Sequence, residues 1–296
     1  MATLSNWIEA MRLRTLPVSL GGVIAALGMA ASEGPVDWLW GGVCIVFAVL
    51  AQVASNFANE YFDGRDGIDT AQRQGPARGV IAPPAMKRAT ILTLLLACAI
   101  GLLTLLRGGW ILLPAGIAIA LGALAYSAGP YPLSRNRLGE VAVIIFFGIV
   151  PVCLTYYLQT LTIPLWVFIC SLGIGLMGAM VILVNNYRDI ASDSATGKRT
   201  VSTAVGPQGS ALIYCAMGQF AAMALWIGGG LETWGFLPLL PAAMGFVGGM
   251  LLYRGLPAPG ATKLLAITAI TMLLTAALLL LNQLILQGLG YYPVPA

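Results

Sequence analysis

The sequence predicts an all-α, polytopic membrane protein with about nine transmembrane helices, and three observations support this prediction. Only 9% of the 296 residues are charged and 59% are hydrophobic, with a mean hydropathy of +0.88, whereas soluble domains carry about 25% charged residues. Nine apolar runs approach the roughly 20 helical residues that a bilayer core of about 30 Å requires. The basic residues are also concentrated in alternate connections between these runs.

The predicted spans cover residues 16–32, 38–58, 89–106, 110–128, 139–158, 163–187, 209–228, 234–253 and 263–287. Glycine and proline interrupt several of them, which membrane helices tolerate. Gly21, Gly22 and the glycines at 173, 175 and 178 predict places where helix backbones approach closely. No stretch remains for a soluble domain, so we expect one transmembrane domain over residues 1–296.

The distribution of lysine and arginine predicts the orientation of the chain. Every basic residue except Arg107 lies in the N-terminal segment or in the connections after spans 2, 4, 6 and 8. Positive residues concentrate on the cytoplasmic side of a membrane. We therefore expect the N-terminus on the cytoplasmic side and the C-terminus outside, in a bacterial cytoplasmic membrane.

The residue types limit the chemistry that the chain can perform. The sequence has no histidine, which removes the commonest general base and transition-metal ligand. The five cysteines stand singly in apolar runs, without the paired spacing of a zinc or redox site. Any metal is therefore expected on oxygen ligands. We expect no nucleic-acid partner, and the sequence does not indicate an oligomeric state.

A first polar cluster follows the second span, at its cytoplasmic end. Asn56, Asn59 and Asp63 occupy positions i, i+3 and i+7, which share one face of a helix. Asp66 and Asp69 follow in a long charged connection. Polar residues at membrane depth are costly and usually functional.

A second cluster follows the sixth span and repeats this spacing. Asn186, Asp189 and Asp193 are again at i, i+3 and i+7, with Asn185 beside them. Because aspartate at a helix C-terminus opposes the helix dipole, ordinary helix capping does not explain either cluster. We expect the two stripes to face each other across one pocket.

The composition of the clusters favours a magnesium–diphosphate site. Carboxylate and amide oxygens suit Mg²⁺, which usually combines a few protein ligands with water and substrate phosphate oxygens. Basic side chains near the carboxylates would bind the phosphate oxygens; the candidates are Arg65, Arg73, Arg78, Lys198 and Arg199.

These residues resemble the UbiA superfamily of intramembrane prenyltransferases along most of the chain. Several stretches are most similar to one branch, the 1,4-dihydroxy-2-naphthoate prenyltransferases (MenA). They are Arg12-Leu-Arg-Thr-Leu-Pro17, Asn59-Glu-Tyr-Phe-Asp63, Gly75-Pro-Ala-Arg78, Met86-Lys-Arg88 and Asn185-Asn-Tyr-Arg-Asp189 through Lys198.

The resemblance implies a UbiA-like bundle of helices around a central cavity and gives roles to individual residues. With the residue chemistry, it predicts a catalytic group of Asp63, Asp189, Asp193, Lys198 and Tyr126. The expected diphosphate-binding residues are Asn59, Arg65, Arg78, Asn186, Lys198 and Arg199. The expected metal ligands are Asn59, Asp63, Asp66, Asp69, Asp189 and Asp193; either Asp66 or Asp69 completes the first motif, since the step from Asp63 to Asp69 is longer than in other relatives.

The resemblance also implies a reaction. A polyprenyl or phytyl diphosphate ionises with Mg²⁺, and the allylic cation alkylates 1,4-dihydroxy-2-naphthoate with loss of CO₂, giving a demethylmenaquinone-type product. Membrane lipid would surround the tail. A UbiA enzyme with another acceptor, such as a haem, chlorophyll or hydroxybenzoate prenyltransferase, is an alternative. A cation or metabolite transporter is a second one, although no cluster aspartate lies in the middle of a span.

Overall fold

The computed structural model describes residues 3–65 and 81–291, and that part of the chain is helical. The helices are α1 (Leu4–Met11), α2 (Leu16–Ala31), α3 (Trp38–Arg65), α4 (Pro83–Leu103), α5 (Leu105–Gly108), α6 (Leu112–Ala125), α7 (Gly139–Val143), α8 (Val150–Thr160), α9 (Leu165–Arg188), α10 (Ile190–Ala195), α11 (Val201–Trp234), α12 (Leu239–Tyr253) and α13 (Ala258–Gly288). A π-helical segment, Ile144–Ile149, joins α7 to α8. The all-α prediction is confirmed.

The described helices include six that are long and apolar enough to cross a membrane: α3, α4 with α5, α7 through α8, α9, α11 and α13. A seventh span arises if α1 and α2, which meet at 51°, form one bent unit. The remaining apolar helices, α6 and α12, are shorter. The fold class is therefore confirmed, whereas the expected count of nine spans is not.

Local sequence signals explain where several helices begin. Thr3 caps α1 through a capping box with Asn6, which satisfies backbone N–H groups that have no partner within the helix. Prolines occupy the first turns of α2 and α4, where a missing N–H carries no cost. Arg12 has a left-handed backbone (φ 52°) and separates α1 from α2.

Helix α9 lies at the centre of the bundle, and glycine lets its neighbours approach. A β-carbon on Gly148 of the π-helical segment would overlap the backbone of Gly175 in α9. Gly173 lies equally close to α11, where a β-carbon would stand 2.9 Å from the Ala221 carbonyl oxygen. The close helix contacts that the sequence predicts at positions 173 and 175 are confirmed.

The π-helical segment precedes a proline. Pro151 has no N–H to donate to the Phe147 carbonyl. Gly22 of α2 packs against that carbonyl oxygen, which would be 2.8 Å from a β-carbon on Gly22. Segments of this kind occur frequently at functional sites. The backbone that carries Phe146 and Phe147 is thus held between α2 and α9.

We predict that Gly148→Ala lowers the free energy of unfolding by about 1–3 kcal/mol, because its methyl group would overlap the Gly175 backbone. Thermal unfolding in detergent measures the change. Gly42→Ala is the matched control, since a β-carbon at Gly42 meets nothing within 4 Å. Equal melting temperatures for the two variants would contradict the packing described here.

Candidate active site

Helix α3 presents the first polar cluster at its C-terminal end. The Asn56 amide donates to the Met11 carbonyl (2.8 Å), so this buried side chain ties α3 to α1. Asn59 accepts a long hydrogen bond from Arg12 (3.5 Å). Asp63, also buried, accepts a 2.6 Å hydrogen bond from Arg135. The i, i+3, i+7 stripe lies on one helix as predicted, but its first member has a packing role.

The second cluster differs from the prediction, because it does not lie on one continuous helix. Helix α9 ends at Arg188, and Asp189 has a non-helical backbone (φ −99°, ψ 8°) before α10 begins. The Asp193 N–H still donates to the Asp189 carbonyl at 2.8 Å, which holds the two residues one helical turn apart. Arg188 donates to both carboxylate oxygens of Asp189 at 2.8 Å and to Asn185 at 2.9 Å.

A tight turn after α10 places a lysine beside the cluster. Gly197 has a positive φ of 73°, a conformation that glycine adopts without strain. The turn brings the Lys198 ammonium to 3.3 Å from Asp193, and both side chains are buried. Arg199 is exposed, and Thr200 then caps α11.

The two clusters are connected by the segment between α6 and α7. Arg135 contacts Asp63 through its side chain, and its carbonyl accepts from the Arg199 N–H at 3.2 Å. The Arg137 N–H donates in turn to the Arg199 carbonyl at 2.9 Å. Arg135 thereby links the α3 cluster to the backbone pairing at Arg199, directly after Lys198. The two clusters that the sequence predicts to serve one site are thus physically connected.

Glu140 extends this connection to α9. It is buried, and one of its oxygens accepts from the Asn186 amide at 2.9 Å. Its other oxygen has no hydrogen-bond partner within the described ranges. Asn186 is thus oriented by a carboxylate from α7.

Sequence reasoning did not assign site roles to Arg12, Arg135 or Glu140. Arg12 and Arg135 belong to the basic residues that the sequence predicts on the cytoplasmic side, and Glu140 stands at the start of a predicted span. Charged residues are rare in this sequence, so a charge at the end of a span is the signal that could have identified these three residues. Only the fold shows which side chain each of them contacts.

Each aspartate that the structure describes in the clusters has a cation within 3.3 Å: Asp63 has Arg135, Asp189 has Arg188, and Asp193 has Lys198. Within residues 3–65 and 81–291, no three acidic or cysteine side chains gather as a metal site would require. The oxygen donors nevertheless suit Mg²⁺, which often takes one or two carboxylates and completes its shell with substrate phosphates. The donor chemistry therefore fits a metal that arrives with a diphosphate.

Other predicted residues have different positions. Arg65 is exposed, with its guanidinium 5.0 Å from the centre of the Phe62 ring. Asp66, Asp69, Arg73 and Arg78 lie outside the described residues. The choice between Asp66 and Asp69 as the third member of the first motif is therefore not tested.

Tyr126 lies where the polar site meets an apolar cavity. It follows the last residue of α6, and its carbonyl accepts from the Ser134 N–H at 3.0 Å. The cavity contains about 750 Å³ of space, part of it open to the surroundings, and extends between α2, α3, α6 and the α7–α8 span. Apart from Tyr126, Ser19, Gln52 and Ser55, its walls are apolar.

The structure thus combines paired acidic and basic side chains at the ends of apolar helices with a mainly apolar cavity between those helices. The sequence matches the UbiA prenyltransferase family over residues 19–256. The chain belongs to this family.

Individual relatives agree with this assignment. The chain is 33% identical over 252 residues to the 1,4-dihydroxy-2-naphthoate octaprenyltransferase of Escherichia coli K12, covering 80% of this chain and 82% of the relative. It is 32% identical over 232 residues to the enzyme of the same name from Haemophilus influenzae, covering 74% and 75%. A 2-carboxy-1,4-naphthoquinone phytyltransferase from Synechocystis is 25% identical over 216 residues, covering 69% and 67%.

Solved structures share the fold. A UbiA homolog from Archaeoglobus fulgidus bound to GPP and Mg²⁺ superposes with a TM-score of 0.70 at 11% identity, covering 93% of this chain and 99% of that one. The UbiA homolog from Aeropyrum pernix K1 gives 0.68 at 15% identity, covering 90% and 98%. These matches confirm the UbiA-like fold class.

We predict that Arg135→Gln lowers the free energy of unfolding by about 3 kcal/mol, because it leaves the buried Asp63 carboxylate without its closest cation. Arg137→Gln, an exposed neighbour, should change stability little. Denaturation in detergent measures both. A double variant that also carries Asp63→Asn should recover part of the loss, and its failure to do so would show that Arg135 acts through another contact.

Proposed function

We propose that this protein transfers a polyprenyl or phytyl group from its diphosphate to 1,4-dihydroxy-2-naphthoate, with loss of CO₂ and diphosphate, giving a demethylmenaquinone-type product in its reduced, hydroquinone form. The observation that carries the proposal is the position of the joined acidic and basic clusters next to a mainly apolar cavity. The names of the relatives support the acceptor and the product class. The proposed pathway is menaquinone or phylloquinone biosynthesis.

The basic residues of the site would bind the diphosphate. Arg135 and Lys198 each contact an aspartate, so their charges are held at fixed positions before the substrate arrives. Phosphate oxygens form strong, charge-assisted hydrogen bonds with such groups. As the carbon–oxygen bond to the tail breaks, the negative charge that develops on the leaving diphosphate is stabilised by cations that are already in place.

Magnesium is the proposed cofactor, and the residues proposed to hold it are Asn59, Asp63, Asp189 and Asp193, with Asp66 or Asp69. When bound, Mg²⁺ supplies positive charge that offsets the charge of the diphosphate. The carboxylates are paired with Arg135, Arg188 and Lys198. On binding, the phosphate oxygens of the substrate would therefore pair with those cations. The carboxylates would then be available to bind the metal.

The cavity would exclude water from the allylic cation. Its walls next to the polar site include Tyr126, Ala142 and Phe146, and a mainly apolar environment would keep water from quenching the cation. The aromatic ring attacks the cation through the carbon that carries the carboxylate. The bond between the ring and the carboxylate carbon then breaks. CO₂ leaves and the electron pair of that bond stays with the ring, so no ring proton has to be removed.

We also propose that the site faces the cytoplasm. The basic connections after spans 2, 4, 6 and 8 and the N-terminus would lie on that side, with the C-terminus outside. The prenyl tail would then lie in the membrane core, continuous with the surrounding lipid.

The decisive test uses membranes that contain the protein, a labelled prenyl diphosphate, Mg²⁺ and a panel of acceptors. We expect a lipid-soluble product and released CO₂ with 1,4-dihydroxy-2-naphthoate, but not with 4-hydroxybenzoate. A product with another ring and none with the naphthoate would assign the chain to a different acceptor class of the same family.

We predict that Asp63→Asn or Asp189→Asn lowers turnover by more than about 100-fold, since each removes charge that binds the metal and orients a basic partner. Asp37→Asn is the matched control, because Asp37 lies before the opposite end of α3 and caps it through an oxygen that asparagine retains. Membrane insertion should be equal in all variants. Near-normal turnover in either site variant would overturn the assignment of the site.

A further inference from the structure

Two phenylalanines in the cavity wall lie against glycines of neighbouring helices. The ring of Phe146, in the π-helical segment, occupies the space beside Gly122 of α6, so that a β-carbon on Gly122 would overlap the ring. The ring of Phe47 in α3 lies against Gly101 of α4, and a β-carbon there would be 3.0 Å from the Phe47 Cε2 atom. Phe146, Gly122 and Phe47 all line the cavity.

The two pairs lie at different depths. Phe146 and Gly122 are each about one helical turn, or roughly 6 Å, from Ala142 and Tyr126 at the polar end of the cavity. Phe47 is two turns, or about 12 Å, from Ser55 in the same direction. A tail that leaves the polar site therefore reaches the Phe146–Gly122 pair first.

A methyl group on Gly122 would push the Phe146 ring away from α6 and toward the cavity that the ring lines. The backbone that carries Phe146 is held in place, because Gly148 and Gly175 are in backbone contact and the Phe147 carbonyl packs on Gly22. Helix α6 blocks movement toward Gly122. A ring pushed away from Gly122 therefore enters the cavity, where it narrows the space beyond the first turn.

We propose that Gly122 and Gly101 determine which prenyl tails the protein accepts, by giving Phe146 and Phe47 space to lie against the cavity wall. The proposal rests on the function proposed above, because it takes the cavity as the site of the tail. It assigns a specificity role to two residues that touch neither the diphosphate nor the acceptor ring. Gly122 controls the near part of the tail path, and Gly101 controls the deeper part.

The experiment compares dimethylallyl, geranyl and geranylgeranyl diphosphates, with kcat/KM as the readout. In Gly122→Ala we expect the ratio of geranylgeranyl to dimethylallyl activity to fall about tenfold relative to the wild type, a typical cost of overpacking by one methyl group. Gly116→Ala is the matched control on the same helix, since a β-carbon there meets nothing within 4 Å. Its ratio should not change.

Two further variants test the direction of the effect. Adding Phe146→Ala to Gly122→Ala should restore the ratio, because no ring remains to be displaced. Gly101→Val should lower activity with geranylgeranyl diphosphate while preserving activity with dimethylallyl diphosphate. If Gly122→Ala does not fold, Phe146→Trp enlarges the same ring without altering α6 and is expected to lower the ratio in the same way.

An unchanged ratio in Gly122→Ala, or an equal loss with every tail, would overturn the inference. Absence of transfer by the wild type with all three substrates and with a longer polyprenyl diphosphate would instead overturn the proposed function. Binding of the same diphosphates to the detergent-solubilised protein, measured by calorimetry, reports the tail-length ratio without requiring transfer. The two failures are therefore distinguishable.

Discussion

Buried carboxylates at one end of the helix bundle impose the strictest physical requirement on this molecule. A carboxylate removed from water is costly unless a cation and hydrogen bonds accompany it. Asp63 is paired with Arg135, which comes from a segment remote from α3 in the sequence. Asp193 is paired with Lys198, which follows α10 directly. The connection between α6 and α7 therefore adopts the conformation that carries Arg135 to α3 while its backbone pairs with Arg199.

The same requirement explains how the site and the cavity are related. Glycine contacts fix the π-helical segment on α9, and that span begins with Glu140, which orients Asn186. One structural unit therefore supplies both a carboxylate of the polar site and two phenylalanines of the cavity wall, Phe146 and Phe147. In the function proposed above, Glu140 would lie near the charged head of the substrate, and the phenylalanines, about two helical turns further along, near its apolar tail.

Much of this arrangement follows from sequence patterns, because hydrophobic run length and the position of basic residues report directly on the bilayer. The spacing of Asn59 and Asp63 predicts a shared helix face, and α3 provides it. The break at Asp189 was not predictable, since helical spacing continues through it. Arg135 and Glu140 were also missed, because their partners are distant in sequence and only tertiary packing brings them together. The count of nine spans was not confirmed, because α6 and α12 are shorter than the other apolar helices of the described residues.

The two clusters, separated by more than a hundred residues in sequence, are proposed to act as one diphosphate site. A double-variant cycle between Asp63→Asn and Asp193→Asn tests whether they do, with the affinity for geranyl diphosphate and Mg²⁺ measured by calorimetry in detergent. Residues of one site interact, so we expect the double variant to lose about as much binding free energy as the single variant with the larger loss. Its loss should be smaller than the sum of the two single losses by about 1 kcal/mol or more. Strictly additive losses would contradict the account, because they would mean that the two aspartates act independently.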